Sequence, residues 1–138
     1  MRITLDTSVL VAAARSRNGA SFKLVSMLPS RQLEIALTVA VYMEWQAVLT
    51  RPEHMPEGVT LEEVMAYVRY MASIAHQQDV HFLWRPFLRD PNDDMLVECA
   101  VSSGSRYIVT HNLKDFGRVT ELGIQAITPA ELLNKLRS

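Results

Sequence analysis

Ile3-Thr4-Leu5-Asp6-Thr7-Ser8 decides the fold. A short apolar run ends on an acid, and the residues from Ser8 to Ala14 then read as a helix. An acid at the carboxyl end of a first strand stands where open α/β sheets place their ligands. Three more acids, Glu44, Asp94 and Asp115, fall at comparable strand-to-helix junctions or on helix faces. Four converging carboxylates repel one another. At about 5 Å and an effective dielectric near 20, each pair costs roughly 3 kcal/mol. Such a cluster persists only where a cation offsets the repulsion, so the question of function is whether these acids meet.

Strands alternate with helices along the rest of the chain. Arg2–Leu5 reads as a buried strand, and Ser16-Arg17-Asn18-Gly19 as a turn. Ala20–Leu28 is a second helix before Pro29, and Leu33–Leu37 a second strand. Thr38 can cap a helix running to about Thr50, which Arg51-Pro52 ends. Thr60 and Glu63 form a capping box for a helix to about His76. A third strand is expected at Asp79–Leu83, and a helix at Asp93–Ser103 that stops at Gly104. Tyr107–Val109 and Ile124–Ile127 complete the strands, and Pro129 opens the last helix. This alternation predicts an α/β fold with a mainly parallel sheet and helices on both faces.

With 138 residues, no repeat and no linker-like tract, residues 1–138 read as a single domain. A net charge of −1 supplies no global basic field for nucleic acid, leaving any such contact to a local patch. Cys99 is the only cysteine, which rules out an intrachain disulfide and suits a reducing compartment. No secretion signal is visible, and the longest apolar stretch, Ile35 to Leu49, is interrupted by Glu44 and Gln46. A cytoplasmic protein with no membrane association is expected.

Each acid also has an ordinary reading. Asp6 suits a helix cap, and Asp90-Pro91 with two acids behind it suits a helix start whose dipole favours negative charge. Asp93 and Asp94 point about 100° apart on a helix, so at most one faces a site. Glu44 flanks the apolar stripe Val41, Trp45 and Val48 instead of sitting opposite it. In Thr110-His111-Asn112-Leu113-Lys114-Asp115-Phe116, Asn112 and Asp115 also suit a hydrogen-bonded turn. The scattered histidines and single thiol offer no zinc site. No glycine-rich phosphate loop and no Gly-x-Ser-x-Gly elbow occurs.

Leu5-Asp6-Thr7-Ser8-Val9-Leu10, then Glu44, then Arg89-Asp90-Pro91-Asn92-Asp93-Asp94, then Ile108 to Phe116 together resemble the PIN-domain family. Within that family the chain looks like the VapC-like toxin components of bacterial toxin–antitoxin pairs. The resemblance implies a PIN-like, Rossmann-like three-layer α/β/α fold and a Mg²⁺- or Mn²⁺-dependent endoribonuclease that hydrolyses RNA phosphodiester bonds. Carried over, Asp6, Glu44 and Asp94 match the metal-holding acids, with Glu44 either a ligand or an orienter of water. Asp115 or Asn112 completes the set, and Asp93 and Thr110 stand as supporting groups. RNA and a cognate antitoxin are the implied partners, with a homodimer as the expected assembly.

Arg15, Arg17, Lys23 and Lys114, with Arg118 nearby, are candidate phosphate contacts, although solvated surface is the ordinary reading of each. Val64, Val68, Met71 and Ala75 form a stripe that suits either core or a partner-docking face. The alternative function is a non-catalytic PIN-like module that binds RNA or protein. A phospho-acceptor receiver domain shares the sheet, but it wants an acidic pair after the first strand, where this chain has Asp6-Thr7.

Overall fold

The computed structural model of the chain describes residues 1–81 and 85–137. Five parallel strands, β1 (Arg2–Leu5), β2 (Glu34–Leu37), β3 (His76–Gln77), β4 (Tyr107–Val109) and β5 (Gln125–Ile127), form one sheet in the order β3-β2-β1-β4-β5. Six α-helices connect and cover it: α1 (Thr7–Arg15), α2 (Ala20–Ser26), α3 (Val39–Leu49), α4 (Leu61–Ser73), α5 (Asp94–Ser103) and α6 (Pro129–Arg137). The expected α/β class and PIN-like parallel sheet are therefore present.

β1 and β4 are the buried centre of the sheet. Ile3, Thr4, Leu5 and all three residues of β4 are shielded from solvent, as continuous apolar strands in a parallel sheet require. Their register pairs Leu5 with Val109, so both strands end together. The strand order runs outward in opposite directions on either side of this pair, which makes it a topological switch point. The crevice beyond its carboxyl ends is where the candidate acids must be sought.

The helix signals act where the sequence places them. The Thr38 hydroxyl accepts from the Val41 amide at 3.2 Å and starts α3. The Thr60–Glu63 capping box forms in both directions. Gly104 ends α5 in the left-handed region (φ 72°), where a side chain would be strained. On α3, Trp45 is completely buried, and its indole N–H donates to the Leu5 carbonyl at 3.4 Å. That bond ties α3 to the end of β1, one residue before Asp6.

Three local expectations change. Helix α4 stops at Ser73 instead of near His76, and the edge strand forms at His76–Gln77. Residues 79–81 lie outside any strand, and the remainder of the expected Asp79–Leu83 strand lies outside the described residues. β3 pairs with Ala36 and Leu37 through its backbone, and the next amide, of Gln78, donates to the Leu37 carbonyl at 2.8 Å. An edge strand with polar side chains carries no apolar alternation to read. Of the stripe on α4, Val64, Val68 and Met71 are buried in the core.

The third change lies after β4. Leu113–Leu122, where only a turn at Asn112 and Asp115 is expected, is two 3₁₀ turns joined at a kink at Phe116. Buried Phe116 and Val119 stand three apart, the spacing that eclipses in a 3₁₀ helix. Truncating Trp45 should test how strongly α3 holds the head of the sheet. Trp45→Ala is expected to lower the unfolding free energy by about 3–5 kcal/mol, read from urea denaturation.

Candidate active site

Asp6 closes β1, and its amide donates to the Val109 carbonyl at 2.9 Å. Its φ and ψ are those of a helix cap, but its side chain makes no cap bond to α1. Instead Oδ2 accepts from the Thr110 hydroxyl at 2.7 Å and from the Ser8 hydroxyl at 3.0 Å. Among the described residues, Oδ1 accepts no hydrogen bond. The Thr110 hydroxyl in turn accepts from the Asn112 amide at 2.9 Å, and Ser8 Oγ accepts from the His111 amide at 3.3 Å. One carboxylate oxygen is thus fixed between the ends of β1 and β4, and the other is left for a ligand.

Asp93 stands beside Asp6. It ends a 3₁₀ turn, Pro91–Asp93, that Asp90 caps by accepting from the Asn92 amide at 3.0 Å. Burial and the negative charges of Asp6, Asp90, Asp115 and Asp94, in that order, push its carboxyl up to about 7. Asp93 therefore shares a field with both sequence-predicted acids Asp6 and Asp115. Asp115 is exposed on the first 3₁₀ turn after β4, where its amide donates to the Asn112 carbonyl at 3.0 Å.

Asp94 is engaged elsewhere. It is completely buried, with Oδ1 accepting from the Leu88 amide at 2.8 Å and Oδ2 from the Phe87 amide at 3.3 Å. Asp94, expected as a direct metal ligand, has each of its oxygens accepting from a backbone amide of the preceding loop. The physical reason is the 3₁₀ turn. A continuous α-helix from Asp93 was expected, whereas three residues per turn stack Asp90 and Asp93 on one side and rotate Asp94 away. The three-residue spacing of Asp90 and Asp93 behind a proline was the signal available for this.

Glu44 lies on α3, half-buried beside Trp45. Asn112 is exposed and makes its contact to Thr110 through its backbone. Arg15, Arg17, Lys23 and Lys114 are exposed, and Arg15 donates to the Glu53 carbonyl at 3.3 Å. Arg118 is committed to protein partners: it pairs with Glu121 and lies over the Phe87 ring.

The sequence model of the PIN domain family matches residues 2–114, which span β1, β4 and the candidate acids Asp6, Glu44, Asp93 and Asp94. The chain belongs to the PIN domain family. Solved structures agree with this in their fold. The chain is similar to VapBC-1 from nontypeable Haemophilus influenzae, at 18% identity and a TM-score of 0.64, over 94% of this chain and 99% of that one. It is also similar to VapBC2 from Rickettsia felis bound to a DNA fragment from its promoter, at 16% identity and a TM-score of 0.64, over 93% and 98%. DNA-bound VapBC from Salmonella typhimurium matches at 19% identity and a TM-score of 0.62, over 94% and 98%. No curated protein matches the sequence.

The donor set of this PIN domain suits a hard divalent cation. Its acids present only carboxylate oxygens, the ligands that Mg²⁺ and Mn²⁺ prefer. Among the described residues the salt bridges join Arg2 to Glu34, Arg85 to Glu98 and Arg118 to Glu121, so no protein cation neutralises Asp6, Asp93 or Asp115. Among the same residues, no three acidic, histidine or cysteine side chains are gathered into a ready-made cage. Mg²⁺ does not demand one, since it keeps several waters beside one or two carboxylates.

The two neighbouring acids should separate by their stability effects in chelated buffer. Asp93→Asn removes a repelled charge and is expected to raise the melting temperature. Asp94→Asn turns an amide donor toward a backbone N–H and is expected to cost about 1–3 kcal/mol. The Asp93 carboxyl is raised from its ordinary 3.8 to about 7. Its ionisation therefore opposes folding fully above pH 7 and not at all below pH 4. The gap between Asp93→Asn and the wild type should close as pH falls through that window, followed by thermal melts.

Proposed function

We propose that this PIN domain is a divalent-metal-dependent endoribonuclease, the toxin of a toxin–antitoxin pair. The observation that carries the reading is Asp6, held at the β1/β4 switch point by one oxygen with the other accepting no hydrogen bond among the described residues, in a field of negative charge that Asp93 and Asp115 share with it and that no salt bridge among those residues offsets. Asp6 and Asp93 are the residues that would hold Mg²⁺ or Mn²⁺, with Asp115 on the open side of the crevice. Glu44 is placed on the neighbouring helix, where it would orient water or join as a ligand after rotation. A bound divalent ion supplies acidified water and charge neutralisation at a phosphodiester, so no side-chain nucleophile is required.

The chain's own residues supply the rest. Ser8 and Thr110 hold Asp6 by one oxygen so that Oδ1 keeps a fixed direction. Arg15 at the end of α1 and Lys114 beside Asp115 are exposed cations that would contact flanking phosphates. The DNA-bound VapBC assemblies named above support an antitoxin as partner. A groove of about 490 Å³, lined by Phe22, Val59, Tyr67 and Tyr70 among others, is the surface we assign to an antitoxin segment. Val39 and Met43, exposed one turn apart on α3, are the apolar patch we assign to a second copy of the chain. Among the described residues no helix is long and apolar enough to cross a membrane.

Purified protein is expected to cleave single-stranded RNA with Mg²⁺ or Mn²⁺ and to stop when chelator is added. Asp6→Asn and Asp93→Asn should each lower the rate at least about 100-fold, which corresponds to about 2.7 kcal/mol of transition-state stabilisation. Cleavage that persists in both variants overturns the assignment. Binding of RNA without cleavage, unaffected by chelator, would favour the non-catalytic binding module instead.

A further inference from the structure

Arg118 lies on the second of the two 3₁₀ turns after β4, across the kink at buried Phe116 from Asp115, and its guanidinium reaches across to the loop before α5. It sits 4.3 Å from the centre of the Phe87 ring and donates through Nη1 to the Phe87 carbonyl at 2.6 Å. Glu121 holds the guanidinium from the other side, accepting from Nε at 3.0 Å and from Nη2 at 3.3 Å. The amides of Phe87 and Leu88 point the opposite way and donate to the two oxygens of buried Asp94. A third tie, from Arg85 Nε and Nη2 to Glu98 at 3.0 and 2.9 Å, fixes the start of the same loop to α5.

These contacts form one continuous chain between the two acidic elements. Asp115 rides on the 3₁₀ turn joined through buried Phe116 to the one that carries Arg118, and Asp90 and Asp93 ride on the turn that follows Leu88. We propose that Arg118, Phe87 and Asp94 form a clamp that sets the spacing between Asp115 and Asp93, which makes Arg118 a positioning residue for cation binding. The proposal rests on the metal-dependent reading above. Acids that repel one another separate unless their supports are stiff. A planar guanidinium that stacks and donates at once is a stiffer support than a lysine ammonium can be. Outer supports of this kind typically govern metal affinity by roughly 10- to 100-fold.

The sign of the effect distinguishes a clamp from a charge. Removing a positive side chain near acids tightens cation binding through the field alone, whereas releasing a clamp weakens it. The test is Mn²⁺ titration of the full chain by electron paramagnetic resonance, with hydrogen exchange at the Phe87 and Leu88 amides as a metal-free readout. Arg118→Ala and Arg118→Lys should both bind Mn²⁺ about 10- to 100-fold more weakly, with faster exchange at those two amides and the rest of the exchange pattern preserved. Phe87→Leu, which keeps the backbone bonds but loses the ring face, should weaken binding in the same direction.

Wild-type affinity in both Arg118 variants, or tighter binding in Arg118→Ala, overturns the clamp while leaving the metal reading intact. A wild-type protein that binds no Mn²⁺ overturns the metal reading, and the clamp's role in cation binding falls with it. Unchanged exchange at Phe87 and Leu88 in the Arg118 variants overturns the clamp itself, whatever the metal result.

Discussion

The parallel pairing of β1 with β4 is the constraint on which the rest of the site depends. It ends both strands at the same level, so Asp6 and Thr110 fall side by side although 104 positions separate them. A slip of one residue would turn Thr110 to the other face and leave Asp6 without its anchor. Burial enforces the register, because Ile3, Leu5, Ile108 and Val109 all lie within the core. Trp45 adds a second tie by donating to the Leu5 carbonyl. The geometry of a polar site is thus specified by apolar packing behind it.

Adjacent acids divide two tasks that a sequence writes in one word. Asp94 satisfies two backbone amides in the interior, where an unpaired N–H is costly, and so holds the loop 85–90 against α5. Asp93 faces the other charges and carries the cost of being near them. The division follows from a short 3₁₀ turn fixed by Pro91 and the Asp90 cap. Where the helix begins decides which acid does which.

Much of this was legible beforehand, and the reasons differ by element. The strands β1 and β4 announced themselves through short β-branched and apolar runs, Ile3-Thr4-Leu5 and Tyr107-Ile108-Val109. Thr38, Thr60 with Glu63, and Gly104 announced helix ends because capping is local chemistry. β3 fell outside the expected strand because His76 and Gln77 are polar and pair with β2 through their backbone, with no apolar alternation to mark them. The 3₁₀ segment after β4 was missed because its period of three, marked by Phe116 and Val119, differs from either pattern sought. Asp6 was legible as an acid at a strand end, and Asp115 as an acid in the turn beyond β4. The different surroundings of Asp93 and Asp94 were not, because they turn on about 100° of helical phase at a boundary. Arg118 read as a surface cation, since nothing in its neighbours forecasts a contact with Phe87, thirty-one positions earlier.

The absence of a lysine or arginine partner for the crevice acids among the described residues also has a kinetic meaning. An enzyme that neutralises its own carboxylates with a built-in cation is ready for a polyanion at any moment. Here the crevice presents unbalanced negative charge to whatever approaches, and a phosphate backbone is repelled within the Debye length, about 8 Å at physiological salt. A small cation meets no such barrier, and no side chain has to be displaced to admit it at Asp6 Oδ1. On the metal-dependent reading proposed above, association at this crevice would be ordered, cation first and polyanion second, with the ion acting as the gatekeeper of the second encounter.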